Sequence, residues 1–224
     1  MGSEVIEGYD GYNDNISRSF LFGYAIPFTH TGAKLSYSFA DAFAASAMVV
    51  NGWDNVLDGN QGKSWMLTTS ITPVSGLGIY INYIGGPEAA ADDDNLRHMV
   101  DAVASYQVTE TLKLALNGDF GTDAAPAGDA KWYGVAAYVR VDIVKEFSAA
   151  LRGEWFSDPD GFRTGTAQDV VEGTLTGEYR PAKGFALRGE FRGDYSTVAT
   201  FDAGDLPASK KFQPNLLLNA VAYY

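Results

Sequence analysis

Apolar and polar residues alternate strictly along residues 171–195, which form two runs joined by a short turn. In the first run every second residue from Val171 to Tyr179 is apolar or glycine, and the positions between carry charged or hydroxyl side chains. The same alternation resumes at Phe185 and continues to Tyr195. A period of two places the two sets of side chains on opposite faces of a β-strand. The segment therefore predicts a hairpin with one apolar face and one densely charged face.

This alternation recurs along almost the whole chain, and no convincing helical periodicity interrupts it. We expect an all-β fold of twelve strands, at 18–28, 33–39, 43–53, 64–72, 77–84, 98–108, 112–120, 131–143, 147–156, 170–180, 185–195 and 212–224.

The connections between these strands alternate between short and long. Those near 40–42, 73–76, 109–111, 144–146 and 181–184 are short, whereas those near 54–63, 85–97, 121–130, 157–169 and 196–211 are long and rich in Gly, Pro and Asp. In an up-and-down meander every second connection lies at the same end. Short turns at one end and long loops at the other are typical of outer-membrane barrels, whose turns are periplasmic and whose loops are extracellular.

The apolar face is poor in bulk at mid-strand, where it carries Gly153, Gly173, Gly177, Gly189 and Gly193. In the core of a soluble barrel such glycines would leave voids costing about 1 kcal/mol or more each, whereas lipid tails can fill them. This favours a transmembrane barrel with its apolar face outward. A soluble ligand-binding barrel, with that face inward, remains an alternative.

Aromatic residues cluster near the strand ends on the apolar face. Two such rows are expected where a barrel crosses the two membrane–water interfaces. At the turn end they are Phe147, Tyr179, Phe185 and Tyr224, and at the loop end they are Trp65, Tyr133, Trp155 and Tyr195.

The opposite face is rich in charges that we expect to line a pore and tune its selectivity. They are Lys113, Asp119, Arg140, Asp142, Arg152, Glu154, Glu172, Glu178, Arg180, Arg188, Glu190, Arg192 and Asp194. The alternative is that these charges fill a narrow barrel with salt bridges, because twelve strands lie between side-chain-filled eight-stranded barrels and open sixteen-stranded porins.

Composition narrows the remaining possibilities. The chain has 224 residues, a net charge of −12 and no cysteine. The acidic balance argues against nucleic acid as a partner, and the lack of cysteine excludes disulfides and thiolate metal sites. No apolar run is long enough for a membrane helix. No signal peptide is recognisable, so we expect any export signal to be absent from this chain.

Candidate catalytic chemistry is sparse. No G-x-S-x-G sequence accompanies the two histidines, so we interpret His98 as a rim residue with ordinary hydrogen bonds rather than as part of a membrane enzyme. The acidic segments ADDDN (91–95) and SDPDGF (157–162) lack the spacing of a calcium loop. We expect no metal, no cofactor and no catalysis.

The segments SRSFLFGYAIPFTHTG (17–32) and VVNGWDN (49–55), preceded by EVIEGYDGYNDN (4–15), resemble the β-barrel porin-2 family of Gram-negative outer membranes. The resemblance implies an outer-membrane channel. Members of that family are longer, so this chain resembles the C-terminal part of the family pattern. In the longer members the stretch matching residues 4–28 could be an inward-folded loop. In this chain we expect it to supply the first strand and close the barrel, because an open sheet in lipid exposes unpaired backbone groups.

These observations predict one barrel domain, with an extension at 1–16 and the barrel at 17–224. Its function would be passive diffusion of small hydrophilic solutes and ions. Membrane lipids are expected partners, and so is the outer-membrane assembly machinery, through the C-terminal strand FQPNLLLNAVAYY (212–224). The alternative is a non-conducting barrel, either a porin fragment or an engineered scaffold. The oligomeric state stays open.

Overall fold

The computed structural model describes residue 7 and residues 13–125 and 128–222, in which nearly all regular structure is β-strand. The strands are β1 (Gly32–Ala40), β2 (Phe43–Val50), β3 (Ser64–Val74), β4 (Leu77–Pro87), β5 (Leu96–Gln107), β6 (Leu112–Ala125), β7 (Gly128–Val144), β8 (Phe147–Asp158), β9 (Gln168–Ala182), β10 (Phe185–Ser196), β11 (Phe201–Ala203), β12 (Leu206–Lys210) and β13 (Phe212–Ala222).

Eleven of these strands form one antiparallel up-and-down sheet in the order β1 to β10 followed by β13. Strands β11 and β12 form a separate hairpin within the connection from β10 to β13. This confirms the predicted all-β, up-and-down fold class. None of the helical structure in the described residues is long and apolar enough to cross a membrane.

The predicted alternation of short and long connections is present except between β6 and β7. Strands β1–β2, β3–β4, β7–β8 and β9–β10 are joined by two-residue turns. Gly76 and Gly184 occupy two of these turns with φ of 82° and 80°, a left-handed conformation that favours glycine. The connections β2–β3, β4–β5, β8–β9 and β10–β13 are longer and emerge at the opposite end of the sheet, which we call the loop end. The two-residue turns and the four-residue β5–β6 connection define the turn end.

The loop predicted at 121–130 is wrong, because β6 and β7 continue to pair as far as Ala125 and Gly128. The Gly- and Ala-rich composition of this stretch suggested a loop, but its period-two pattern continues. Asp123 points to the inner side and forms an ion pair with Arg97 at 2.5 Å, which holds the extended hairpin against β5.

The strand predicted at 18–28 is also wrong, so within the described residues the sheet has eleven strands rather than twelve. These residues belong to what we call the inner segment, residues 13–31, which contains one π-helical turn at Leu21–Ala25. The buried side chains of this turn and its C-cap are Leu21, Phe22, Ala25 and Ile26, a spacing that no strand would give. Tertiary packing has overridden the local alternation.

The two edge strands, β1 and β13, do not pair with each other in the described part of the chain. Because the number of strands is odd, both edges run in the same direction, from the loop end to the turn end. Both strands are exposed along most of their length.

The apolar face is the outer face, as predicted. Leu175 on that face is 55% exposed, and a side chain added at Gly153 or Gly173 would meet no atom within 4 Å. The predicted interface aromatics Trp65, Phe147, Trp155, Tyr179 and Tyr195 are exposed, and Tyr133 and Phe185 are partly exposed. Tyr224 lies outside the described residues.

Candidate functional site

The inner segment runs along the charged face of the sheet from the loop end to the turn end. At the loop end the backbone N–H groups of Phe28 and Thr29 donate to Asp54 at 2.6 and 2.7 Å. At the turn end Asp14 forms ion pairs with Lys113 at 2.5 Å and Arg140 at 3.2 Å. The sheet therefore curves around this segment, and we call the face that it covers the inner face.

Two glutamates hold the backbone of the inner segment. Glu154 on β8 accepts hydrogen bonds from the N–H groups of Phe20 at 2.7 Å and Leu21 at 2.5 Å. Glu190 on β10 accepts from those of Ile16 at 2.5 Å and Ser17 at 2.9 Å. A non-strand segment has N–H groups without sheet partners, and buried N–H groups need acceptors. A carboxylate that accepts two adjacent N–H groups satisfies both with charge-assisted bonds.

Arg152 lies at the centre of the contact between β8 and the inner segment, with 0% of its surface exposed. Its guanidinium donates to Glu172 at 2.5 Å, to Glu7 at 2.9 Å and to the carbonyl of Ser17 at 2.8 Å. Its buried positive charge is thus balanced by Glu172 on β9 and by Glu7 near the N-terminus. Charge burial of this kind is tolerated only when it is fully paired.

A second ion-pair cluster lies toward the turn end, around Glu178. This carboxylate pairs with Arg140 at 3.2 Å and with Arg180 and Arg188 at 2.5 Å each. Arg188 also donates to the carbonyl of Asn13 at 2.9 Å, which joins the cluster to the inner segment. Beside it lies a polar cavity of about 250 Å³, lined by Asp14, Gln107, Thr111, Lys113, Arg140, Asp142 and Arg180.

Arginines and aromatic rings pack together at the loop end. The guanidinium of Arg163 lies 4.8 Å from the ring centre of Trp53 and 5.3 Å from that of Trp132, and Arg97 lies 5.2 Å from Trp53. Burial, with the charge of Arg97 nearby, lowers the pKa of Arg163 to about 10, which leaves it cationic at neutral pH. The indole N–H of Trp132 donates to the carbonyl of Ala25 at 3.0 Å. This cluster fixes two long loops and the inner segment together.

Every pore-lining residue predicted from the sequence lies on the inner face. Asp119, Arg152, Glu154, Glu172, Glu178, Glu190, Arg192 and Asp194 are buried, whereas Lys113, Arg140, Asp142, Arg180 and Arg188 are partly exposed. Much of the predicted charge is thus buried by ion pairs and by the inner segment. A role of these residues in selectivity stays a prediction.

Sequence reasoning missed the part of the inner face that the inner segment leaves uncovered. That part also carries Lys34, Met48 and Leu217, but most of its side chains are polar, uncharged and not buried. These polar side chains are Ser36, Ser38, Ser46, Thr68, Ser70, Gln213, Asn215 and Asn219 on β1, β2, β3 and β13. Their regular alternation with apolar residues could have indicated from the sequence that they lie on the inner face.

His98 lies exposed on the outer face near the loop end. Its Nδ1 is 2.8 Å from the hydroxyl of Tyr83, and the two rings stack. The prediction of a rim histidine with an ordinary hydrogen bond is confirmed.

The fold is shared with outer-membrane proteins of known structure. The family model described as "Putative beta-barrel porin-2, OmpL-like" matches residues 1–223. The chain belongs to this porin family. No curated protein sequence matches the chain significantly.

Solved structures similar to this β-barrel porin-2 member share its fold at low identity. The outer-membrane channel DcaP of Acinetobacter baumannii is 12% identical with a TM-score of 0.63, over 94% of this chain and 68% of DcaP. OmpT, an outer-membrane protein of Vibrio cholerae, is 13% identical with a TM-score of 0.59, over 94% of this chain and 71% of OmpT.

A loop-deletion mutant of the same OmpT is 12% identical with a TM-score of 0.58, over 85% of this chain and 62% of that one. The chain thus spans less than two thirds of the length of this mutant. The family and these structures support a porin-like protein of a Gram-negative outer membrane.

Proposed function

We propose that the protein is a channel for passive diffusion of small hydrophilic solutes and ions, and that it is not an enzyme. The observation that carries the proposal is the uncovered wall, the exposed and largely polar part of the inner face on β1–β3 and β13. Hydroxyl and amide side chains suit a water-filled passage, and an apolar outer face suits lipid. Membership of a porin family supports the same function.

The inner segment would narrow this passage. It covers the inner face of β6 to β10, so solutes would pass between the segment and the uncovered wall. At the turn end the partly exposed Lys113, Arg140 and Arg180 face Asp142 and would impose a transverse field on passing ions. The gap between the inner segment and the uncovered wall would therefore select solutes by size, and the charged residues at the turn end would select them by charge.

A channel also requires that the two sheet edges be closed. Unpaired backbone groups in hydrocarbon cost several kcal/mol each, and β1 and β13 would otherwise expose a full edge on either side. We infer that both edges are paired in the membrane, through contact with each other or with further strands.

A non-conducting barrel is the second candidate function. The buried ion pairs of Arg152 and the glutamate-held backbone of the inner segment favour it, because both fill the inner space with protein. The uncovered wall argues for a remaining passage.

Liposome swelling in sugar solutions of increasing size tests the channel directly. We expect proteoliposomes to admit small sugars and to exclude larger ones. The variant Thr68→Trp, which places a large ring on the uncovered wall, should slow swelling. The neighbouring Leu67→Trp points outward and should not change the rate. Folded protein that admits no solute would favour the non-conducting barrel.

A further inference from the structure

A row of polar side chains crosses the inner face at one level. Cross-strand register places Ser36 opposite Ser46, Ser46 opposite Thr68, Thr68 opposite Asn82, and Asn82 opposite Asp101. The hydroxyls of Ser46 and Thr68 are 2.5 Å apart. The row begins at Ser36 on the uncovered wall and ends at Asp101, on the part of the inner face that the inner segment covers.

The row ends in two aspartates, because Asp101 on β5 lies directly opposite Asp119 on β6. Side chains at such paired positions have Cβ atoms about 5 Å apart. Asp101 is 0% exposed and Asp119 is 5% exposed. The structure therefore buries two carboxyl groups next to each other.

The oxygens around this pair are unequally satisfied. Asp101 accepts hydrogen bonds from the amides of Asn82 at 2.6 Å and Asn117 at 3.0 Å. Among the described residues, neither carboxylate oxygen of Asp119 nor the buried amide oxygen of Asn117 has a hydrogen-bond partner of good geometry. Three oxygens near Asp101 thus lack a hydrogen-bond donor of good geometry in the described part of the chain.

Among the described residues, no basic side chain forms a salt bridge with Asp119. Its strongest charge interactions are with Asp101 and Glu154, both acidic. Arg97 and Arg152, on the neighbouring inner surface, pair with Asp123 and Glu172 instead. A buried carboxylate without a counter-charge is strongly unfavourable, so Asp119 must either take up a proton or be balanced by a positive ion.

We propose that Asp101 and Asp119 bind a divalent cation of the Ca²⁺ type, with the amide oxygen of Asn117 as a further ligand. Two carboxylates balance a charge of +2, and carboxylate and amide oxygens are the ligands that Ca²⁺ prefers. The described residues contain no cluster of three or more acidic, histidine or cysteine groups suited to a metal, so water would complete the coordination. The hydroxyl row from Ser36 to Thr68 gives the ion a polar route from the uncovered wall.

Thermal unfolding of the detergent-purified protein, stripped with EDTA and titrated with CaCl₂ or MgCl₂, tests the site. At a Ca²⁺ concentration about 100 times Kd we expect Tm to rise by roughly 5–10 °C. Asp119→Asn should lose most of this rise and should be more stable than wild type in EDTA. The matched control Asp142→Asn, an aspartate paired with Arg140 at the turn end, should keep the full rise.

A gain-of-function variant keeps the test independent of folding defects. Asn117→Asp adds a third carboxylate beside the two aspartates and should lower the Ca²⁺ concentration at half-effect about tenfold. If neither CaCl₂ nor MgCl₂ changes the Tm of the wild-type protein, the proposal is overturned. A proton shared between Asp101 and Asp119 would then account for the buried pair. Equal Ca²⁺ responses in wild type and Asp119→Asn would overturn the proposal as well, because the ion would then bind the acidic loops.

Discussion

Replacement of Glu154 and Glu190 by glutamine should release the inner segment. Each glutamate accepts two adjacent backbone N–H groups, with distances between 2.5 and 2.9 Å. Charge-assisted hydrogen bonds contribute about 1.5–3 kcal/mol each. Glutamine keeps one neutral acceptor and turns an amide group toward the second N–H, so each substitution should cost about 2 kcal/mol.

The double variant should therefore favour the displaced segment by about 4 kcal/mol. The two glutamates lie on β8 and β10 and hold different parts of the segment, so their effects should be nearly additive. A factor of ten corresponds to about 1.4 kcal/mol, which predicts an increase of roughly 10³ in the displaced population.

Cysteine labelling measures this population, because the chain contains no cysteine. Ser19→Cys places a thiol between the two anchored stretches, at a position that is buried. The rate of modification by a water-soluble maleimide should rise about 10³-fold when Glu154→Gln and Glu190→Gln are added. Asp142→Asn, which alters a pair with Arg140 only, should leave the rate unchanged.

A labelling rate in the double variant within a few-fold of the Ser19→Cys rate would refute this reasoning. The segment would then be held by packing of its apolar side chains, and the two glutamates would add little.

Three further predictions concern other parts of the structure. Gly173→Leu on the open outer face should leave unfolding by urea in lipid unchanged, whereas Thr174→Leu on the buried inner face should lower the midpoint. Trp132→Phe removes the donor to the Ala25 carbonyl and should destabilise by about 1–3 kcal/mol in the same assay; an unchanged midpoint would contradict the contact. Arg180→Glu should shift the reversal potential in a salt gradient toward cations, and an unchanged reversal potential would exclude Arg180 as a determinant.

The sequence predicted the sheet well because strand periodicity is a local property. Alternation at 171–195 fixed both the faces and the turn of the β9–β10 hairpin, and the register of Arg188 opposite Glu178 follows from it. Outward glycines such as Gly173 identified the lipid-facing side for a physical reason, since only a surrounding fluid can fill the missing volume.

The inner segment could not be predicted from the same pattern. Phe20, Phe22 and Tyr24 alternate as they would in a strand, but the segment instead packs its π-helical turn against the inner face. What decides this is long-range: Glu154 and Glu190 lie more than 130 residues along the chain and supply acceptors for its backbone. Only the family resemblance indicated an inward fold for this stretch.

The sequence predicted which charged residues lie on the inner face, but it did not predict which of them contact each other. The sequence placed Arg152 and Glu172 on the inner face, but not the contact of Arg152 with Glu7, which depends on the path of the inner segment. The pairing of Asp101 with Asp119 was likewise invisible, because it requires the register between β5 and β6.

Single-channel recording in a planar bilayer tests the central claim most directly. We expect discrete, stable conductance steps from the folded protein. The steps should be larger in the Glu154→Gln/Glu190→Gln variant, because release of the inner segment widens the passage. Protein that is folded and inserted but silent in both forms would contradict a water-filled channel and support the non-conducting barrel.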